Sequence, residues 1–268
     1  MQSFTNFVLE YEAPIRLTAF FGMLATMAAW EWAAPRLPQD LPRAKRWPSN
    51  LGIVALDTLV VRLVFPVLPV GVAAAAQAHG WGVFNFAEVP RWLGFAMSVL
   101  ILDLAIYAQH IAFHKVPVLW RLHRMHHADT AIDVTTGARF HPIEIVLSIV
   151  IKMAVVIVIG APPGAVVVFE VLLNATAMFN HANLRLPLTL DRVLRLFMVT
   201  PDMHRVHHST LKRETDSNYG FNLPWWDRLF GTYTAQPSAG HDGMVIGLDR
   251  FRDPLDQRLD KMLTQPFR

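Results

Sequence analysis

Histidines recur in this sequence at spacings that suit metal binding. His110 and His114 are four residues apart, and one turn of helix places two such imidazoles on the same face. Two HxxHH motifs follow, in which spacings of three and four residues again share a helical face. The motifs consist of His123, His126, His127 and of His204, His207, His208. Imidazole binds iron, zinc and copper, so these eight side chains are the predicted catalytic metal ligands.

Two further histidines are expected close to these motifs. His181 ends a long apolar run, and His141 immediately precedes another. Both are predicted metal ligands, with a hydrogen-bonded polar role as the alternative. Eight or more imidazoles exceed what one ion binds, so two ions are predicted. The remaining His79 and His241 belong to no cluster and are interpreted as ordinary polar residues.

Acidic residues that hydrogen-bond to metal-bound histidines hold the imidazoles in one tautomer and orientation. Four aspartates near the motifs are candidates for this role, and Asp202 is the closest, two residues before His204. For each of them a solvated or helix-capping acid is the alternative interpretation. The candidates are Asp103, Asp129, Asp202 and Asp216.

The composition indicates that lipid surrounds much of the chain. Hydrophobic residues make up 53% of the 268 residues and charged residues only 17%, against about 25% in soluble domains. The net charge is only +3, which gives no reason to expect a nucleic-acid partner. The sequence contains no cysteine, and this excludes disulfides, thiolate zinc sites, iron–sulfur clusters and covalent haem attachment.

Five apolar runs approach the roughly 20 residues that cross a bilayer. Pro66 and Pro69 predict a kink in the second run, and Glu10 and Glu12 before the first favour a retained anchor over a cleaved signal. The fold class predicted is all-α, a polytopic bundle of four to five spans with a cytoplasmic, histidine-rich metal-binding cap, in a single domain of residues 1–268. The runs cover residues 15–34, 51–77, 92–114, 143–159 and 165–179.

Loop charges predict the orientation of these spans. Clusters of arginine and lysine follow the first, third and fifth spans, whereas the opposite loops hold little beyond Arg91. By the positive-inside rule the basic loops are cytoplasmic, with the N-terminus outside and the C-terminus inside. Ten of the twelve histidines then lie at the cytoplasmic face. The chain is therefore predicted to be a multi-pass protein of the cell membrane.

One charge falls near the middle of a predicted span. Lys152 lies within the fourth run, and Glu170 lies at a similar depth in the fifth, counted from the turn at residues 161–164. An unpaired charge there costs a few kcal/mol. The two side chains are predicted to pair, with a lysine that reaches the interface as the alternative.

With these histidine motifs the sequence resembles the fatty acid hydroxylase and sterol desaturase superfamily. The resemblance covers about residues 90–233 and rests on the histidine motifs, on Asn180 with His181, and on three further segments. The sequence departs from the family pattern at one position. Some members carry a second histidine four residues after the one that corresponds to His181, and this chain has Arg185 there. The further segments are 139–142, 218–220 and 226–232.

The resemblance implies a membrane-bound, non-haem di-iron oxidoreductase. Such an enzyme uses O2 to hydroxylate or desaturate a C–H bond of a lipid, with sterols, fatty acyl chains, ether lipids and carotenoids as open alternatives. Two iron ions are the implied cofactor, and zinc is an alternative occupant of the purified protein. The residues do not decide between hydroxylation and desaturation.

Electrons must come from a separate donor, because the chain has no nucleotide-binding or haem-attachment motif. A ferredoxin, a cytochrome or a reductase is the expected partner, while the oligomeric state stays open. Four basic residues are expected either to anchor the chain at anionic lipid or to dock this donor. They are Arg121, Arg124, Arg205 and Lys212.

The main alternative function is a histidine-rich membrane protein that binds or transports metal without oxygenase activity. Transport would require ligands near the middle of the bilayer, whereas the motifs lie at one face. A haem b carrier would need paired histidines within facing spans, and a zinc hydrolase of the HExxH type would need a glutamate that is absent here. The oxygenase interpretation is therefore favoured.

Overall fold

Helices make up most of the computed structural model, which describes residues 2–39 and 41–268. Within these two ranges no β-strand occurs, and only isolated bridges join Pro35 to Leu184 and Ser209 to Ile246. The predicted all-α class is confirmed. The first nine helices are α1 (Gln2–Glu10), α2 (Glu12–Ala33), α3 (Arg43–Val64), α4 (Pro69–His79), α5 (Val83–Phe86), α6 (Arg91–Lys115), α7 (Pro117–His127), α8 (Pro142–Ile159) and α9 (Pro163–His181).

Shorter helices follow the last long one and build a cap over one end of the bundle. They are α10 (Leu188–Leu194), α11 (Pro201–His207), α12 (Lys212–Thr215), α13 (Trp225–Leu229), α14 (Gly240–Gly243) and α15 (Leu259–Met262). Single 3₁₀ turns lie at Thr136–Ala138, Pro254–Gln257 and Gln265–Phe267.

Five segments of the described chain are long and apolar enough to cross a membrane, in agreement with the four to five spans predicted from the sequence. The first, third, fourth and fifth differ from the predicted bounds by only a few residues. The segments are Glu12–Ala33, Arg43–Phe86, Arg91–Lys115, Pro142–Ile159 and Pro163–His181.

The second segment contains the predicted kink and begins earlier than expected. Helix α3 ends at Val64 and α4 begins at Pro69, because the two prolines of this stretch cannot donate backbone hydrogen bonds. Its start at Arg43 lies eight residues before the predicted bound. Arg46, which belongs to the basic segment after the first span, is fully buried, because its guanidinium binds Asp129 and Asp133. These contacts come from a distant part of the chain.

A tight turn, whose conformation is determined by glycine and proline, joins α8 to α9. Gly160 ends α8 with a φ of 69°, a conformation that glycine adopts without strain. A Cβ atom at this position would lie 2.7 Å from the carbonyl oxygen of Trp81, so the close approach also requires glycine. Pro163 then starts α9 at a position where a backbone donor is not needed.

Helix α9 lies at the centre of the bundle and packs against α1, α2, α4, α6 and α11. A buried apolar cluster joins it to its neighbours through Leu102 and Ile106 of α6, Val156 of α8 and Phe169 of α9. This packing brings the C-terminal ends of α6 and α9 together beneath α7 and α11.

The predicted pair between Lys152 of α8 and Glu170 of α9 is confirmed. Nζ of Lys152 lies 2.7 Å from Oε1 of Glu170, and both side chains are largely buried. The structure adds a second cation, because the guanidinium of Arg16 lies 2.5 Å from Oε2 of Glu170. One carboxylate therefore binds two cations inside the membrane-spanning region.

Candidate metal centre

Histidines from four helices meet at one end of the bundle. The last turns of α6 and α9 contribute His110, His114 and His181, and the short helices α7 and α11 contribute the rest. All of these side chains are buried. From α7 and the end of α11 come His123, His126, His127, His204, His207 and His208.

Their ring nitrogens form two groups in the described part of the chain, each with its ligand atoms within 4.8 Å of one another. The first group contains five imidazoles and the second contains four. The first group is His110, His114, His123, His127 and His207, and the second is His126, His181, His204 and His208.

Each HxxHH motif supplies both groups. In α7 the residues four apart, His123 and His127, belong to the first group, and the residue between them belongs to the second. In the second motif His204 and His208 belong to the second group, and His207 belongs to the first. The two groups are adjacent, because the rings of His127 and His208 stack with centroids 4.5 Å apart.

Acceptors outside the first group determine the tautomers of two of its rings. Nδ1 of His110 donates to the carbonyl oxygen of Tyr219 at 2.7 Å, and Nδ1 of His123 donates to Oε1 of Glu144 at 2.6 Å. Each Nε2 therefore carries a lone pair. These two Nε2 atoms lie 3.1 Å apart. Two lone pairs that face each other at this distance are stabilised by a shared cation.

The second group shows the same arrangement. Nδ1 of His126 donates to the carbonyl oxygen of Arg139 at 3.1 Å, and Nδ1 of His181 donates to that of Ala177 at 2.7 Å. Nε2 of His181 then lies 3.1 Å from Nε2 of His126 and 3.1 Å from Nε2 of His204. Three imidazole nitrogens thus surround one point.

These distances fit metal ions. With metal–nitrogen bonds of about 2.0–2.1 Å, neighbouring ligands lie roughly 3.0–3.4 Å apart. Several ring nitrogens are also buried and have no hydrogen-bond partner among the described residues, a costly arrangement for a polar atom unless a metal binds it. They are both nitrogens of His114, His127 and His208, Nε2 of His207 and Nδ1 of His204.

Burial keeps these imidazoles neutral. It lowers the pKa of His123 to about 3. For the other five histidines of α7 and α11, burial and then the neighbouring imidazoles lower the pKa well below the ordinary value of 6.5. A neutral imidazole is the form that binds a metal, so no proton has to leave at neutral pH. The five are His126, His127, His204, His207 and His208.

Glu144 supports the site and was not among the predicted residues. It lies in the first turn of α8, is 4% exposed, and accepts the hydrogen bond from His123. An acidic residue in the first turn of an otherwise apolar span was the signal that could have identified it.

A turn after the second motif holds the acceptor of His110. Both carboxylate oxygens of Asp227 accept backbone hydrogen bonds, from Tyr219 at 2.8 Å and from Gly220 at 2.9 Å. A Cβ at Gly220 would lie 2.9 Å from Asp227, so only glycine permits this approach. Asn218 precedes them with a φ of 51° and binds the carbonyl of Met203 in α11. These contacts give a structural role to two of the segments that carry the family resemblance, residues 218–220 and 226–232.

Comparison with protein families agrees with this geometry. The family model described as fatty acid hydroxylase matches residues 95–232, just over half of the chain. The chain belongs to the fatty acid hydroxylase family. The matched range contains every member of both histidine groups and nearly coincides with the predicted 90–233. With five candidate spans, this member of the family is an integral membrane protein.

Several curated proteins resemble the chain. An ornithine lipid hydroxylase of Rhizobium tropici is 29% identical over 63% of this chain and 51% of the relative. An alkylglycerol monooxygenase of Danio rerio is 29% identical over 85% of this chain and 48% of the relative. A cholesterol 25-hydroxylase-like protein of Danio rerio is 30% identical over 56% of this chain and 61% of the relative. The chain spans about half the length of the first two. No solved structure matches it.

The two groups contain the histidines of the three motifs and His181, but they do not contain His141. The ring of His141 caps α8, because Nδ1 accepts from the backbone of Ile143 at 3.2 Å and Nε2 lies 3.3 Å from the carbonyl oxygen of Leu263. Both nitrogens are thereby occupied, and the ring lies outside both groups. The expectation that His141 binds a metal is corrected. His79 and His241 also lie outside both groups, as predicted.

The four candidate aspartates are placed differently from expectation. Only Asp216 approaches a histidine of the groups, with 3.6 Å between its Oδ1 and Nδ1 of His114. Asp103 binds Asn222 and Trp226 instead. Asp129 binds the buried Arg46, and Asp202 binds Arg205 and Arg36 and lies 3.8 Å from His241. Proximity in sequence to His204 was misleading, since Asp202 points away from its ring.

Arg185, the departure from the expected pattern, is exposed, and its backbone amide binds the carbonyl of Ala34. The second group has four imidazoles where the first has five. Two of the basic residues expected at a docking or anchoring surface are buried, because Arg205 binds Asp202 and Arg124 binds carbonyls of Gln265 and Arg268.

A cavity of about 1100 Å³ extends from the first group between the membrane-spanning segments. His110 and His123 line it at the metal end, together with the apolar side chains of Ile106, Phe140 and Phe221. Its size suits a lipid chain. Phe140 also stacks on His126 with centroids 4.6 Å apart, which shields the second group from solvent.

Proposed function

We propose that this chain is a membrane-bound di-iron oxygenase that uses O2 to hydroxylate a C–H bond of a lipid. One observation carries the proposal, namely two adjacent groups of neutral, converging imidazoles at the end of an apolar cavity within the membrane-spanning region. The names of the relatives, which include hydroxylases and monooxygenases of lipids, support hydroxylation over desaturation.

Each histidine group is proposed to bind one iron ion. Iron bound there supplies the activation of O2 and the oxidation of the substrate carbon. The nine histidines of the two groups are the proposed ligands, with Asp216 and Glu144 as outer partners. The all-imidazole donor set also suits zinc, so zinc in place of iron in a purified sample would not overturn the ligand assignment.

The remaining residues position the ligands and exclude water. Glu144 and the carbonyls of Tyr219, Arg139 and Ala177 keep a proton on Nδ1 of their histidines, so that Nε2 faces the metal. Apolar side chains at the metal end of the cavity keep the reacting carbon away from bulk water. A reaction that cleaves an unactivated C–H bond benefits from this exclusion, because side reactions with water are prevented.

The histidine end of the bundle is proposed to face the cytoplasm. Exposed basic residues concentrate at this end, which favours the cytoplasmic side under the positive-inside rule. They include Lys45, Lys115, Arg121, Arg185, Arg192, Lys212 and Arg213. A separate reductase, ferredoxin or cytochrome would deliver electrons there.

Metal transport without oxidation is the alternative, and the geometry favours it less. All nine histidines lie at one end of the spans, whereas a transport path would place ligands near mid-bilayer. The decisive experiment combines metal analysis of the detergent-purified chain with lipid profiling under ¹⁸O2. About two iron ions per chain and a lipid heavier by one labelled oxygen are expected. Tightly bound zinc that iron cannot displace, with no O2 uptake, would overturn the proposal.

A further inference from the structure

Three hydrogen-bond acceptors at the metal end of the cavity have no donor. Oδ1 of Asp57, Oε1 of Gln109 and Oε2 of Glu144 are buried atoms without a hydrogen-bond partner among the described residues. All three side chains line the cavity. Asp57 is 7% exposed and Glu144 is 4% exposed. Unpaired acceptors in such surroundings are costly, so a ligand that supplies donors would bind favourably here.

These acceptors lie next to the first histidine group. Glu144 binds His123 directly through its other oxygen, and Gln109 precedes His110 in the chain. Nε2 of Gln109 donates to Ser148, one turn along α8 from Glu144, so α6 and α8 present their acceptors at similar depth. Asp57 of α3 is close enough to Glu144 for the two carboxyl groups to interact electrostatically.

Two of the three arginine and lysine side chains that line the cavity bind carboxylates other than Asp57 and Glu144. Arg16 binds Glu12 and Glu170, and Lys152 binds Glu170. Arg62 of α3 also lines the cavity, but it does not donate to Oδ1 of Asp57, which has no hydrogen-bond partner among the described residues. The three acceptors therefore receive no hydrogen bond from a cation of the described chain, at the junction between the apolar cavity and the metal site.

We propose that the substrate is a lipid with a hydroxyl or ammonium group close to the carbon that is oxidised. This inference rests on the proposed function. The protic group donates to Asp57, Gln109 and Glu144, which orients the neighbouring carbon toward the first histidine group. A lipid with only hydrocarbon at this point leaves the acceptors unpaired.

The test measures binding rather than turnover. Iron-loaded protein in detergent, kept anaerobic, is titrated with 1-O-hexadecylglycerol, with its di-O-methyl ether and with hexadecylamine, and the thermal unfolding midpoint is followed. The alkylglycerol or the amine is expected to bind roughly tenfold more tightly than the dimethyl ether, the cost of about one lost hydrogen bond. Equal affinity for the alkylglycerol, the amine and the dimethyl ether would overturn the inference.

Variants of Asp57 and Gln109 test whether these side chains cause the preference for a protic lipid. Asp57→Leu and Gln109→Met should each reduce the preference for the protic probe, whereas Asp249→Asn, at an exposed acid outside the cavity, should retain it. Asp57→Asn keeps the size of the side chain and distinguishes an ammonium donor from a hydroxyl donor. It should weaken the binding of the amine strongly and the binding of the alkylglycerol little. A preference unchanged in both Asp57→Leu and Gln109→Met would contradict the assignment.

The two proposals fail in different ways. A protic preference that depends on Asp57, in a protein that forms no ¹⁸O-labelled product, would retain this inference and overturn the oxygenase. Labelled product formed from any lipid, together with equal binding of the protic probes and the dimethyl ether, would retain the oxygenase and overturn this inference.

Discussion

Glu144 of α8 accepts a hydrogen bond from Nδ1 of His123 of α7, with 2.6 Å between the two atoms. The bond connects a membrane-spanning helix to the helix that supplies ligands to both histidine groups. It also fixes the tautomer of His123, so that Nε2 is available to a metal. The carboxylate is therefore expected to control affinity in the first group.

Glu144→Gln is expected to weaken iron binding in the first group about 10- to 100-fold, the usual effect of losing an outer carboxylate partner. Titration of the purified protein with iron against a competing chelator measures the change. Glu88→Gln, an exposed glutamate far from the site, is the matched control and should bind iron like the unmodified chain. Unchanged affinity in Glu144→Gln would show that the hydrogen bond does not support the ligand.

Single histidine substitutions should separate the two groups. His127→Ala removes a ring of the first group and His208→Ala removes one of the second, although the two rings stack on each other. Each variant is expected to retain about one iron ion per chain instead of about two, and to lose oxygenase activity, because both ions are needed. Elemental analysis measures the metal content. His79→Ala, at an exposed histidine stacked on Trp81, should retain both ions, and full occupancy in His127→Ala would disprove the assignment.

Acid should destabilise the metal-free protein. The pKa of His123 is lowered to about 3, and those of the other α7 and α11 histidines are lowered well below 6.5. Below pH 6.5 the unfolded chain binds protons that the folded chain does not, so the free energy of unfolding decreases as pH falls. The slope is up to about 1.4 kcal/mol per pH unit for each such histidine. Unfolding midpoints of chelator-treated protein at pH 7, 6 and 5 measure it, and a pH-independent midpoint would contradict the prediction.

Glu170→Gln should destabilise the fold, because Lys152 and Arg16 would keep their charges in the membrane-spanning region without a carboxylate. Removing one partner of a buried ion pair typically costs about 3–5 kcal/mol. Thermal unfolding in detergent measures the loss. The double variant Lys152→Met with Glu170→Gln should recover part of it, since one unpaired cation is removed. Equal midpoints for Glu170→Gln and the unmodified chain would exclude a stabilising role.

Because the sequence contains no cysteine, single cysteines can report the orientation. Lys212 is exposed at the end of the bundle that holds the histidines, and Trp81 is exposed at the opposite end, so Lys212→Cys and Trp81→Cys report the two sides. A membrane-impermeant maleimide added to intact cells should label the second variant and not the first, and inverted vesicles should reverse this pattern. Labelling of Lys212→Cys in intact cells would place the histidines outside.

The sequence alone determined the helical class, the five spans and the residues of the three histidine motifs. These features depend on short-range physics, because apolar length decides whether a segment crosses a bilayer and because residues three or four apart share a helical face. The pair between Lys152 and Glu170 was also predictable, since the depth of each residue in its span can be counted from the tight turn that joins the two spans.

Only the tertiary structure decided how each motif divides between the two groups. His126 and His127 are neighbours in sequence but face different groups, and this depends on how α7 packs against α6 and on where α9 delivers His181. The packing likewise placed Glu144 beside His123, left only Asp216 of the four aspartates near a histidine of the groups, and buried Arg46 against Asp129. It also placed His141 against backbone groups. Such contacts join residues far apart in the chain, and local spacing carries no information about them.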